Sequence, residues 1–289
     1  MKVLVTGGAG FVGTNLVIRL KNDGHEVYVI DNLSAGKRRN YIDGVTYVED
    51  STENIEKILW GLALVPDIIY HLGEYSKITP SFDEIKNVFE YNIKGSFAVL
   101  EYARQHKVPI VYAASSTRLA LEGENHSPYS FFKSLIVQLL KNYGDWYGLQ
   151  YSICYFYNVY GEYQDTWENE WKTVLGIFEE QYRNNKPLTV VGDGLQQRDF
   201  TYVGDIVNGL VMASQQIRNE EYQLGSGRVY TILEVAKMFT DNIKFIPERR
   251  GDRRYGKADI ESTMKALGWK ANMTVERWIS QIKQSQNQL

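Results

Sequence analysis

Short runs of aliphatic and β-branched residues alternate with longer stretches of helical periodicity through the first half of the chain. Residues 2–6, 27–31, 67–71 and 109–113 read as strands, and helical patterning follows near 11–23, 52–61, 83–107 and 129–147. This alternation predicts βαβ units and a parallel sheet covered by helices on both faces. A further apolar run, Tyr151-Ser152-Ile153-Cys154-Tyr155-Phe156, reads as another buried strand. Beyond about residue 158 the strands become sparser, and aromatic and Gly-rich loops separate isolated helices. The pattern divides the chain into a large α/β unit over 1–158 and a smaller α/β lobe over 159–289, with segments near 195–215 returning to the first unit. No repeat, low-complexity tract or Pro/Gly/Ser-rich linker lies between them, so the two parts are expected to be interwoven.

A length of 289 residues suits one large unit carrying a second lobe. The net charge of -3 and sequence pI near 5.9 provide no broad basic surface, which argues against nucleic acid or an anionic membrane as partner. An anionic ligand would need a local cationic site. Cys154 is the only cysteine and lies in an apolar strand, so no intrachain disulfide is possible and a reducing cytoplasm fits. The chain starts on a strand-like run rather than a signal peptide, and no apolar stretch approaches the roughly 20 residues of a membrane span. A soluble, cytoplasmic protein is expected. The four histidines, His25, His71, His106 and His126, show no metal-ligand spacing, and no metal is expected.

The first candidate chemistry follows the first strand directly, where Gly7-Gly8-Ala9-Gly10-Phe11-Val12-Gly13 opens a helix. Gly7 permits a tight turn, Gly10 lets the main chain approach a pyrophosphate at the positive helix N-terminus, and Gly13 lets helix and strand pack closely. Placed strand–turn–helix, the motif predicts a Rossmann doubly wound domain that binds a dinucleotide. Asp31, some 18 residues past Gly13, ends the second strand, where a carboxylate can accept both adenosine ribose hydroxyls. A 2′-phosphate would meet like charge there, which favours NAD, while the nearby Lys37-Arg38-Arg39 keeps NADP open.

Tyr129 and Lys133 form Y-x-x-x-K at the start of an apolar helix, one turn apart on one face. A tyrosine with its ordinary pKa of about 10 is a poor base at neutral pH, but a neighbouring ammonium and an oxidised nicotinamide both favour the phenolate. Bringing it to about 7 takes about 4 kcal/mol of differential stabilisation. Tyr182 and Lys186 repeat the spacing, but Pro187 follows and nothing catalytic accompanies them, so that copy is read as chance. Ala113-Ala114-Ser115-Ser116-Thr117 brings hydroxyls to the carboxyl edge of the sheet, where open α/β folds bind ligands. Ser115, Tyr129 and Lys133 together suit proton and hydride transfer at a secondary alcohol.

In this order the motifs resemble the extended short-chain dehydrogenase/reductase family, and within it the nucleotide-sugar 4-epimerases, over nearly the whole chain. Further segments carry the likeness: Asp31-Asn32-Leu33-Ser34-Ala35-Gly36, Asp50, His71-Leu72-Gly73, Asn92-Ile93-Lys94-Gly95, Asn158-Val159-Tyr160-Gly161, Arg198-Asp199-Phe200 and Arg249-Arg250-Gly251-Asp252. The resemblance implies an NAD site built from Gly7, Gly10, Phe11, Val12, Gly13, Asp31, Asn32, Asp50 near the adenine, Leu72, Asn92, Tyr129 and Lys133. It implies a nucleoside-diphosphate sugar held by Ser115, Thr117 and Asn158, with Arg198 and Arg249 facing the diphosphate, a role suited to guanidinium groups. The implied reaction is transient oxidation at C4, rotation of the 4-keto sugar and return of hydride to its other face.

A 4,6-dehydratase of the same family typically carries an acid where this chain has Ser116-Thr117-Arg118. The same residues would also suit a sugar-nucleotide reductase, or a regulator that binds NAD without turning anything over. The chain departs from the family in Arg118-Leu119-Ala120 and the short loop before Tyr129, in Glu74-Tyr75 where small residues are usual, and in the segment 164–171. The resemblance also implies a homodimer, formed through the helices near 83–107 and 129–147, and a setting in surface polysaccharide synthesis.

Overall fold

The apolar runs of the first half become the strands β1 (Lys2–Thr6), β2 (Glu26–Ile30), β3 (Thr46–Val48), β4 (Ile68–His71), β5 (Ile110–Ser115) and β6 (Tyr151–Phe156). They are seen in a computed structural model that describes residues 1–119, 123–164, 172–248 and 250–286. Helices α1 (Phe11–Asn22), α2 (Ile55–Gly61), α3 (Ile85–Val88), α4 (Ser96–His106) and α5 (Pro128–Tyr147) connect them. Between α3 and α4 the chain stays helical but widens to a π-helix over Phe89–Gly95. Beyond β6 follow β7 (Val159–Tyr160), α6 (Val174–Arg183), β8 (Leu188–Val191), β9 (Gln197–Asp199), β10 (Thr201–Tyr202), α7 (Val203–Gln215) and β11 (Glu220–Leu224). The chain closes with β12 (Val229–Thr231), α8 (Ile232–Phe239), β13 (Ile243–Ile246), α9 (Glu261–Leu267) and α10 (Val275–Gln286).

The main sheet has the order β11-β6-β5-β4-β1-β2-β3, with every neighbouring pair parallel. Parallel strands covered on both faces are apolar throughout rather than alternating. In β1 the side chains of Val3, Leu4 and Val5 are all inaccessible, Leu4 packing into the layer under α4 and α5 and its two neighbours into the layer under α1 and α7. Strand order runs outward in both directions from β1 and β4, and this reversal leaves a crevice at the carboxyl ends of those two strands.

Local signals set the element ends near that crevice. Ser127 caps α5, its hydroxyl accepting the Ser130 N–H at 3.1 Å, and Pro128 occupies the first turn, where a missing N–H costs nothing. Helix α6 ends at Arg183, so Tyr182 and Lys186 do not share a helical face.

The second lobe has its own core, in which Phe178, Leu188, Val190, Phe239 and Ile279 are buried. The chain returns to the main sheet through α7, which packs against α1 and β6, and then adds β11 beside β6. This return extends past the segment near 195–215 expected from sequence, while β9 stays with β12 in the lobe. The cause is the edge position of β11: its sequence Glu-Glu-Tyr-Gln-Leu exposes both glutamates and makes no apolar run. Among the described residues, no helix is long and apolar enough to cross a membrane.

The C-terminal segment is pinned beneath α7. Trp269 is 1% exposed and its indole N–H donates to the Asp205 carbonyl at 2.9 Å, while the Asp205 carboxylate accepts the N–H groups of Asn272 and Met273, each at 2.9 Å. Trp269→Ala is therefore expected to lower unfolding free energy by about 3–5 kcal/mol, read from urea midpoints. A loss below about 1 kcal/mol, the size of an ordinary surface change, would contradict the pinning.

Candidate active site

The turn between β1 and α1 works by contact between main chains. Gly7 has φ +71°, and a Cβ placed on it would lie 2.8 Å from the Gly73 Cα; one on Gly13 would lie 2.0 Å from the Gly7 carbonyl oxygen. Gly10 stands at the N-cap of α1 with no side chain capping the helix, and the first turn carries no acidic residue. Its N–H groups and the positive end of the helix dipole are thus left for an anion. Thr6 fixes Gly73 opposite, its hydroxyl oxygen accepting the N–H groups of Leu72 at 3.1 Å and Gly73 at 3.0 Å.

A cavity of about 250 Å³ opens at this crevice. Of the residues singled out in the sequence, Gly7, Gly10, Phe11, Val12, Gly13, Asp31, Asn32, Leu72, Ser115, Tyr129 and Lys133 all line it. Asp31 is 7% exposed, and its carboxylate accepts the N–H of Ala9 and of Leu33, each at 2.9 Å. Burial pushes its carboxyl above the ordinary carboxylate range, with those two N–H groups opposing the shift. The backbone at Gly36 closes over it, since a Cβ there would lie 2.6 Å from Asp31 Oδ1. In the basic segment that follows, the Arg38 guanidinium donates twice to Glu49, at 2.6 and 2.5 Å, and so is engaged by an acid.

At the other end of the cavity, β5 and α5 bring the chemical groups together. Ser115 ends β5, and its Oγ accepts the Thr117 hydroxyl at 3.0 Å. Tyr129 and Lys133 come from the first two turns of α5 and are 8% and 6% exposed. Tyr129 packs against Tyr75 and Val88, and its N–H donates to Ser81 Oγ at 3.3 Å. The Lys133 ammonium donates to the Ala113 carbonyl at 2.5 Å and to the Glu74 carboxylate, and it lies 4.6 Å from the centre of the Tyr112 ring. Ser76, Lys77 and Thr173 from loops and Tyr91 from the π-helix also border the cavity and were not singled out by sequence, because they carry no spacing signal.

The remaining expected residues that the structure describes stand outside the cavity lining. The Asp50 carboxylate accepts the Ser51 N–H at 2.7 Å and the Asn54 amide at 2.8 Å, at the turn into α2. Asn92, in the π-helix, accepts the Tyr75 N–H at 2.7 Å and donates to the Tyr75 carbonyl at 3.1 Å, so it holds the loop that carries Glu74. Thr117 is 3% exposed, and its hydroxyl meets the cavity-lining Ser115. Asn158 donates to the Asp199 carbonyl at 2.8 Å. Arg198 is buried beside Asp252, to which it donates at 2.5 Å. Arg249 lies outside the described residues, as does most of the 164–171 segment.

The buried groups behind the lysine form a hydrogen-bonded row that sequence spacing did not show. Its one sequence signal was an acid at position 74, where small residues are usual. The Thr6 oxygen already accepts two N–H groups, so its proton goes to His71 Nδ1, 2.7 Å away. His71 Nε2–H then donates to Ser96 Oγ at 2.8 Å, and Ser96 donates to Glu74 at 2.6 Å. The Tyr112 hydroxyl lies 3.0 Å from both Glu74 oxygens.

The family model described as "NAD dependent epimerase/dehydratase family" matches residues 3–225. The crystal structure of UDP-glucose 4-epimerase with UDP-glucose from Thermotoga maritima is 29% identical, with a TM-score of 0.92 over 100% of this chain and 99% of that one. That of the Thermus thermophilus UDP-glucose 4-epimerase in complex with NAD is 28% identical, with a TM-score of 0.86 over 98% of this chain and 99% of that one. UDP-glucuronic acid decarboxylase 1 of Danio rerio is 28% identical over 96% of this chain and 71% of its own length.

His71 gives this site a signature in stability. Burial, the largest cause, lowers its pKa from 6.5 to about 4, so the folded protein holds it neutral while the unfolded chain takes up a proton earlier. Its contribution is complete above about pH 6.5 and is lost as pH falls through about 4, amounting to about 3 kcal/mol. Unfolding free energy measured from pH 7 to 4 should fall more steeply in the wild type than in His71→Asn. Parallel curves would show that His71 is not held neutral.

Proposed function

Since the chain belongs to the NAD-dependent epimerase/dehydratase family, we propose that it binds NAD along the Gly7–Gly13 turn and epimerises a nucleoside-diphosphate hexose at C4 through a transient 4-keto sugar. One observation carries the reading: Ser115, Tyr129 and Lys133 line the same cavity as the glycine turn and Asp31. The residues present fit the dinucleotide. The turn has no room for a Cβ at Gly7 or Gly13, the α1 N-terminus is uncapped by any side chain, and Asp31 reaches the cavity as a hydroxyl acceptor. Asp31 together with the Arg38–Glu49 pair favours NAD over its 2′-phosphorylated form.

Bound NAD supplies a reversible hydride acceptor for the sugar carbon. Tyr129, as phenolate, accepts the proton of the sugar hydroxyl and returns it after the 4-keto sugar has turned. Ser115 donates to the same oxygen, with Thr117 holding the serine hydroxyl from behind. Positive charge from Lys133 and from the oxidised coenzyme favours the phenolate, the lysine's share being reduced by its ion pair with Glu74. Arg198 serves the diphosphate, and binding there competes with Asp252. We also propose that the protein pairs as a homodimer through α4 and α5, because Phe97, Phe131 and Leu135 remain 44–49% exposed on them.

Purified protein, without added coenzyme, should convert one member of a panel of UDP-, GDP- and CDP-sugars into its C4 epimer, followed by anomeric proton NMR. Tyr129→Phe should slow this by about 10²–10⁴-fold while leaving coenzyme bound. A 4-keto-6-deoxy product, loss of CO2 from a uronic acid, or consumption of external reduced coenzyme would each replace epimerisation with another reaction. Turnover that survives in Tyr129→Phe would remove the tyrosine from the chemistry. Light scattering should give twice the chain mass, and a monomeric mass would remove the dimer.

A further inference from the structure

Nothing in that reaction requires an acid beside Lys133, yet Glu74 is there and is almost wholly enclosed. Its side chain is 2% exposed and that of Lys133 7%, and the two form an ion pair. Ser96 and Tyr112 donate to the same carboxylate. The donors point one way. Thr6 donates to His71, His71 to Ser96 and Ser96 to Glu74, so the row delivers a hydrogen bond to the carboxylate. His71, neutral through burial, adds no charge of its own. The outcome is a lysine whose position is set by the Ala113 carbonyl and Glu74, and whose charge is met at contact distance.

Two consequences follow from electrostatics alone. At the Lys133 position, an ammonium with no acid beside it would favour the Tyr129 phenolate whether or not coenzyme were present. Paired with a carboxylate it becomes a dipole, whose influence falls with distance faster than that of a charge. We propose that Glu74 is a positioning residue that neutralises Lys133, so that ionisation of Tyr129 depends on the positive charge of the oxidised coenzyme and the cavity favours oxidised over reduced coenzyme. The proposal rests on the NAD reading above and deepens it. Among the described residues, the other titratable groups near the pair include His71 from β4, Tyr112 from β5, Tyr155 of β6 beyond it, Tyr91 from the π-helix, and Tyr75 and Lys77 from the loop after β4. Of these, Lys77 brings an ammonium, which donates to the Lys172 carbonyl at 3.3 Å.

Glu74→Gln removes the charge and keeps an oxygen that can accept from Ser96 or Tyr112. Two quantities are measured on the whole protein: separate dissociation constants for NAD and NADH by calorimetry, and the titration midpoint of Tyr129 without coenzyme. The midpoint is followed by NMR of 13C-ring-labelled tyrosine, assigned by comparison with Tyr129→Phe. In Glu74→Gln the preference for NAD over NADH should fall by about tenfold, and the Tyr129 midpoint should drop by about one pH unit. The double variant Glu74→Gln/Lys133→Met carries no charge at either position, and both quantities should return close to wild type. It also covers the case in which a buried, unpaired lysine prevents the single variant from folding.

If Glu74 only packs the site, both dissociation constants rise together, the Tyr129 midpoint stays where it is, and the proposal is overturned. If the wild type binds neither coenzyme, the NAD reading fails, while the tyrosine titration still decides whether Glu74 neutralises Lys133.

Discussion

The hydroxyl of Thr6 is the point on which the site depends. Strand order reverses between β1 and β4, so the two chains leaving those strands part at the carboxyl edge of the sheet and must be held at a set distance. Thr6 does this from the last position of β1, taking the N–H groups of Leu72 and Gly73 and giving its proton to His71. The same bonds bring Gly73 against Gly7, closing the turn from which α1 starts. Because the hydroxyl is buried, an unfilled acceptor or donor there would cost on the order of 1–3 kcal/mol, and all of its hydrogen-bonding capacity is in use.

Around this point the protein handles charge in pairs. Lys133 faces Glu74, Arg198 faces Asp252 and Arg38 faces Glu49. A chain of net charge -3 has no general positive field with which to hold an anion. It relies on local donors, the open N–H groups of the α1 terminus and guanidinium groups already aimed by an acid. Such an arrangement keeps buried cations compensated when nothing is bound, and any anion must then compete with a carboxylate already in place.

How far the sequence could be read differs with the range of the interaction. Strands β1 and β6 begin and end at the residues their apolar runs mark, and the glycine turn, Asp31, Ser115, Tyr129 and Lys133 meet in one cavity as their motifs implied. These depend on short spacing within one element or one turn. The edge strand β11 escaped notice because a strand with one open side can carry glutamates. The Glu74–Lys133 pair spans 59 residues and Arg198–Asp252 spans 54, separations at which a charge in the sequence gives no hint of its partner. Asn92 and Thr117 illustrate an intermediate case. Both were expected at the site, and both act on it through another residue, Tyr75 and Ser115 respectively.

The path of the chain has a consequence for how the protein is made. The strand that completes the main sheet, β11, ends at Leu224, and Trp269 reaches under α7 from still further along. The helices and strands of the second lobe are synthesised in between. No contiguous fragment ending near residue 158 contains the finished main sheet, and the edge of β6 that β11 covers stays open while the ribosome works through roughly the next 60 residues. During that interval β6, rich in aromatic and aliphatic side chains, is an unpaired edge exposed to other nascent chains or to chaperones. The polar sequence of β11 then closes the edge with a strand that does not itself invite another.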